Sequence, residues 1–167
     1  MNQSISDKVD SKIKEDLSPT RNLTGLHLKI VASIAIIWSL FQLWYASPFP
    51  FMFDIGMFKG LPARAIHLGF ALTLAFLIYP TFKGKKISIF DIIISFVGAF
   101  CCLYIYFFYD QLVDRGGVLL NIPVSENFNL PVELILGSLG ILILLEATRR
   151  AIGLPLVIIA GCFLLFS

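Results

Sequence analysis

Long apolar runs separated by short polar stretches set the pattern of this chain. The first run covers residues 30–46 and closes on Trp44 and Tyr45, rings suited to a membrane–water interface. The second covers 61–82; Pro62 fits a helix start, and Lys83, Gly84, Lys85 and Lys86 end it. The third covers about 87–109 and is rich in β-branched and aromatic residues. A helix of that length crosses a hydrocarbon core of about 30 Å with tilt to spare. An open strand would leave its backbone unsatisfied in lipid. The fourth run, 131–148, has Asn129 as its candidate cap and Glu133 in its first turn. A fifth, 151–166, would rise about 24 Å as a helix, a little short of the core. It reads either as a shallow last span or as the start of a helix belonging to a longer polypeptide.

The pattern therefore predicts an all-α, polytopic membrane helical bundle with four transmembrane helices plus a fifth apolar C-terminal segment. Its parts are a polar tail (1–25), a four-helix membrane domain (26–148) and a fifth apolar helix or connector (149–167). The tail lacks the apolar core of a signal peptide. Ile5, Val9, Ile13 and Leu17 recur in it every four residues until Ser18 and Pro19 stop the pattern. Two readings stand side by side: a frayed tail, or an amphipathic helix on the membrane or on a partner.

Composition agrees with the spans. Hydrophobic residues make up 57% and charged residues 14%, against roughly 25% charged in soluble chains. That excludes a disordered chain, a disulfide scaffold and an ordinary soluble enzyme. A net charge of +2 is too small for a nucleic-acid-binding face. Distribution matters more than total. Lys8, Lys12, Lys14, Arg21, Lys29, Lys83, Lys85, Lys86, Arg149 and Arg150 fall on one side of the predicted spans, and only Lys59, Arg64 and Arg115 on the other. The basic side faces the cytoplasm by the positive-inside rule, so the N-terminus is expected inside.

Candidate chemistry is sparse. Cys101, Cys102 and Cys162 lie in apolar runs, without metal-ligand spacing, and read as packing thiols. No HExxH, GxSxG, P-loop or dinucleotide-binding glycine pattern occurs. Asp91, four residues into the third span, is expected at the inner interface or paired with Lys85 or Lys86, with a transport site as the sharper reading. Glu146 precedes Arg149 and Arg150 by three and four residues, so the three share a helix face. They read as an inner-boundary ion pair, or as contacts to a partner subunit. His67 is expected to hydrogen-bond a neighbouring helix near the outer face, with Arg64 one turn before it. His27, beside Lys29, reads as interfacial. The outer loop 47–60 carries Phe49, Phe51, Phe53 and Phe58 and reads as an interfacial segment. The loop 110–130, with Asp110, Asp114 and Glu126 against Arg115, is the candidate outer docking surface. Small residues four apart (Gly69 and Thr73, Ala71 and Ala75, Gly98 and Cys102) permit close helix contact.

Three stretches carry a family likeness. RAIHLGFALTLAFLIYP (64–80), YDQLVDRGG (109–117) and LEATRRAIGLPLVIIAGCFLL (145–165) resemble the small membrane component of tripartite ATP-independent periplasmic (TRAP) transporters, in the subclass served by TAXI-type binding proteins. The likeness spans roughly residues 26–167, with LEATRR its most specific piece. The outer loop departs from the family between 118 and 129, where it is extended. The resemblance implies a three-part system. A periplasmic binding protein captures an organic acid, a large membrane subunit moves it by an elevator mechanism, and sodium drives uptake. The small subunit would be non-catalytic, bracing the large one and helping dock the binding protein. No cofactor is implied for this chain; sodium and substrate would bind the large partner. The implied setting is the bacterial inner membrane, with the lipid bilayer as a further partner and no nucleic acid. The rival readings are a membrane-embedded enzyme using Asp91, His67 and Glu146, and an independent small channel or exporter.

Overall fold

The computed structural model describes residues 20–21, 23–58, 60–81, 88–116, 118, 121–125 and 128–166. Seven helices account for most of them. They are α1 (Leu26–Ala46), α2 (Phe49–Phe53), α3 (Gly60–Ile78), α4 (Ile89–Phe107), α5 (Tyr109–Asp114), α6 (Val132–Ala151) and α7 (Leu154–Phe166). One short antiparallel strand pair, β1 (Asn121–Ser125) with β2 (Phe128–Pro131), precedes α6. Its register runs from Asn121 opposite Pro131 and slips between Pro123 and Ser125.

Backbone chemistry explains the boundaries. Prolines fall where a helix has no use for the missing N–H: Pro50, Pro62 and Pro155 in first turns, and Pro131 at the N-cap of α6. Helix α1 stops at Ser47, whose N–H and hydroxyl both donate to the Trp44 carbonyl at 3.2 and 2.8 Å. Ser88 caps α4 by accepting from the Phe90 N–H at 3.3 Å. Between α6 and α7 the chain turns at Gly153, where φ is 111°. There the Ile152 and Gly153 N–H groups close on the Thr148 carbonyl.

Helix α3 is central and packs against α1, α4 and α6. One core joins Leu72 and Phe76 of α3 to Cys102 of α4 and to Ile143 and Ala147 of α6. A second joins Val31 of α1 to Leu74 and Leu77 of α3, with Leu23 and Trp38 against it. Gly98 lets α4 pass close to the others. A Cβ there would sit 3.0 Å from Ile143 Cγ2 and 3.4 Å from Leu72 Cδ1.

Three helices, α1, α3 and α4, are long and apolar enough to cross a membrane, and the apolar surface they leave exposed marks a membrane protein. The expected fourth span corresponds to α6. It has 20 residues but carries Glu133 near one end and Glu146, Arg149 and Arg150 near the other, so its apolar stretch is shorter than its length. The expected fifth segment shortens to the 13 residues of α7, about 20 Å long, which packs against α6 and buries no side chain. Asn129 is not the cap of α6: it lies in β2, and the N-cap is Pro131, which has no capping side chain. The two loops expected outside hold α2 in the first and α5 with the strand pair in the second. The expected amphipathic stripe at Ile5–Leu17, the lysines at 59, 83, 85 and 86, and Glu126 lie outside the described residues.

Candidate functional site

The principal polar constellation sits where α3 ends, α4 begins and α6 ends. Asp91, in the first turn of α4, is completely buried. Its Oδ2 accepts from Arg21 Nη2 at 2.7 Å, and its Oδ1 accepts from Arg150 Nη1 at 2.9 Å. The Thr81 N–H donates to Oδ1 at 3.3 Å, and the Thr81 hydroxyl donates to it as well. The side chains of Arg21 and Arg150 are 1% and 4% exposed. Arg150 also donates through Nε to Glu146 Oε1 at 2.8 Å and lies over the Phe76 ring at 4.9 Å. Arg149 makes a two-pronged bond to Glu146 at 2.7 and 2.8 Å.

Helix ends explain why the charges gather there. Asp91 faces the positive end of the α4 dipole, and Arg149 and Arg150 face the negative end of α6. Arg21 serves the end of α3. Its N–H donates to the Ile78 carbonyl at 2.8 Å and its Nη1 to the Leu77 carbonyl at 3.3 Å, covering acceptors the helix cannot use. One carboxylate thus ties the N-terminal segment and α6 to the α3–α4 turn.

The expected pairing of Asp91 with Lys85 or Lys86 involves residues outside the described ones. Among the described residues its partners are Arg21, Arg150 and Thr81, contributed from 70, 59 and 10 positions away in sequence. The expected meeting of Glu146, Arg149 and Arg150 on one face is observed.

A second ion pair lies at the opposite boundary. Arg115, just past α5, pairs with the buried Glu133 in the first turn of α6, and Tyr104 of α4 donates to the same carboxylate at 3.2 Å. Arg115 thus pairs with Glu133, a partner on α6 outside the loop in which sequence sets it against Asp110, Asp114 and Glu126. Asp110 and Asp114 are exposed on α5.

A third polar group lies on the surface between α1 and α3. His67 Nδ1 receives the Trp38 indole N–H at 3.3 Å and the Gln42 amide at 3.0 Å, as expected of a histidine held by a neighbouring helix. A tryptophan N–H only donates, so the neutral ring carries its proton on Nε2. Gln42, Arg64 and His67 are all exposed.

Among the described residues no group of three or more His, Cys, Asp or Glu side chains gathers to hold a metal. Cys101 and Cys102 are buried free thiols, and Cys162 is an exposed one. Fold and polar sites together define a helical membrane protein whose charges are grouped at helix ends. No family model, curated protein or solved structure matches the chain.

Proposed function

We propose that this chain is a non-catalytic membrane scaffold subunit: the small membrane component of a sodium-coupled, TAXI-type TRAP transporter for organic acids. In this reading it braces the large transport subunit and helps receive the periplasmic binding protein, while sodium and substrate bind the large subunit.

The observation that carries the proposal is the exposed polar face of α1 and α3. Gln42, Arg64 and His67 are exposed on two helices long and apolar enough to cross a membrane, within about two turns of the helix ends near Trp44. Polar groups on such a surface suit a protein neighbour. The remaining charges support the same reading, because Asp91 and Glu133 are engaged in pairs that join one element to another, and Glu146 in pairs within α6. Such pairs hold helices; a translocation site needs groups free to meet an ion. The 64–80, 109–117 and 145–165 stretches supply the family likeness.

The distribution of basic residues orients the subunit in the bacterial inner membrane with its N-terminus and the Asp91 cluster in the cytoplasm. Helix α6 is the fourth span in this arrangement, and α7 begins a fifth apolar segment. The exposed Asp110 and Asp114 then face the periplasm with the strand pair and belong to the docking surface.

Co-expression with the products of neighbouring genes tests the proposal. A large multi-span membrane protein should copurify with the tagged chain, and replacing Gln42 and His67 by leucine should reduce its recovery at least fivefold. A chain that purifies alone from such cells, or full recovery with the double variant, would refute the scaffold role of this face.

A further inference from the structure

The other exposed side of α3 holds a different feature. A cavity of about 500 Å³ runs along α3 between α1 and α4. Ala65, Gly69 and Thr73 form its floor, with Ile37 on one wall and Ala99 and Leu103 on the other. The Thr73 hydroxyl donates to the Gly69 carbonyl at 2.8 Å, so its proton is already committed. At the boundary where α1 ends, Phe58 leaves its loop to lie between Phe41 and Tyr106, at ring separations of 5.7 and 6.0 Å. This aromatic row roofs the groove at that end. Along its side the groove opens directly onto surface where Ile37 is 54% and Leu40 61% exposed.

We propose that this groove binds one acyl chain of a phospholipid from the leaflet nearest Trp44. Continuity with the exposed apolar faces of α1 and α4 places its mouth in bilayer hydrocarbon. An empty cavity there would forfeit dispersion contacts that a hydrocarbon chain restores. The floor from Ala65 to Thr73 is about 12 Å long, a run that one slender flexible chain can follow. Depth selects the leaflet: Thr73 lies about 20 Å along α3 from the Trp44 boundary, so the groove covers that leaflet and ends near the midplane.

Photoreactive fatty acids test this in the intact membranes of expressing cells. One probe carries a diazirine near its terminal methyl and the other near its carboxyl. After incorporation into phospholipid and illumination, labelled peptides are mapped by mass spectrometry. The methyl-end probe should label Thr73 and Ala99, and the carboxyl-end probe Phe41 and Tyr106. Each should exceed the label on the lipid-exposed control Phe96 at least fivefold. Ala99→Phe, which fills the groove, should cut groove labelling at least fivefold and leave Phe96 unchanged. Groove labelling at or below the Phe96 level in the unaltered protein would overturn the proposal, whether or not the variant folds. So would an inverted order of the two probes, which places the lipid in the opposite leaflet. Unchanged groove labelling in a folded Ala99→Phe protein would also overturn it.

Discussion

Replacing Asp91 by alanine removes the one carboxylate shared by Arg21 and Arg150. Both guanidinium groups stay where packing holds them, with side chains 1% and 4% exposed. Among the described residues Arg150 keeps Glu146, whereas the Arg21 side chain keeps only the Leu77 carbonyl. Removing one partner of a buried ion pair costs about 3–5 kcal/mol, because the remaining charge is left in a medium that solvates it poorly. At roughly 2–4 °C per kcal/mol for a chain of this size, the melting temperature should fall by roughly 6–20 °C. The buried thiols supply the assay. In a Cys162→Ala background, Cys101 and Cys102 become reactive to a fluorogenic maleimide only as the bundle opens. A double variant separates lost attraction from stranded charge. Asp91→Leu with Arg21→Leu removes both members of the pair, so it should melt above Asp91→Ala, although it alters more atoms. A melting temperature for Asp91→Ala within about 2 °C of the unaltered protein, below the shift of one kcal/mol, would refute the clasp.

Other outcomes follow from packing, charge and topology. Gly98→Leu should destabilise the α3–α4–α6 crossing by about 1–3 kcal/mol, since its Cβ already meets Ile143 at 3.0 Å. Gly137→Ala, with nothing within 4 Å, should instead raise stability by about 0.5–1 kcal/mol, read in the same melting assay. Single cysteines near Lys85 and Glu126, placed in a chain without its native cysteines, should react with an impermeant reagent from opposite sides of the membrane. Reaction from one side would overturn the four-span topology. Arg149→Ala with Arg150→Ala should reduce copurification of the large subunit, with cysteine labelling run in parallel because two inside charges are lost. Undiminished recovery in folded protein would confine Arg150 to the internal clasp and leave Arg149 an ordinary flanking charge.

The spans were legible because burial in lipid writes itself as uninterrupted apolar runs, so 30–46, 61–82 and 87–109 fall on α1, α3 and α4 to within a few residues. The charge partnerships were legible only where they are local. Glu146 with Arg149 and Arg150 follows from helical spacing alone. Sequence offers Asp91 the inner interface or Lys85 and Lys86, which lie outside the described residues, whereas Arg21 and Arg150 reach it from the N-terminal segment and the end of α6. The signal for them was topological: alternating spans bring residues 21, 91 and 150 to one boundary, which only the assembled helices make evident. Glu133 was read as complementing the start of its own helix, and it does, but Arg115 and Tyr104 reach it through packing that spacing cannot encode. The strand pair escaped notice because Pro123 and Asn121 are poor strand formers. The groove along α3 left no trace beyond the small residues of its floor, which suit close helix contact equally well.

Reconstitution in liposomes with an inward sodium gradient tests the proposed bracing role against transport by the chain itself. The chain alone should show no uptake of organic acids above empty vesicles. Uptake should appear when the large subunit and the binding protein are added. Sodium-dependent uptake by the isolated chain, abolished by Asp91→Asn in protein that remains folded, would contradict it and make Asp91 a transport residue.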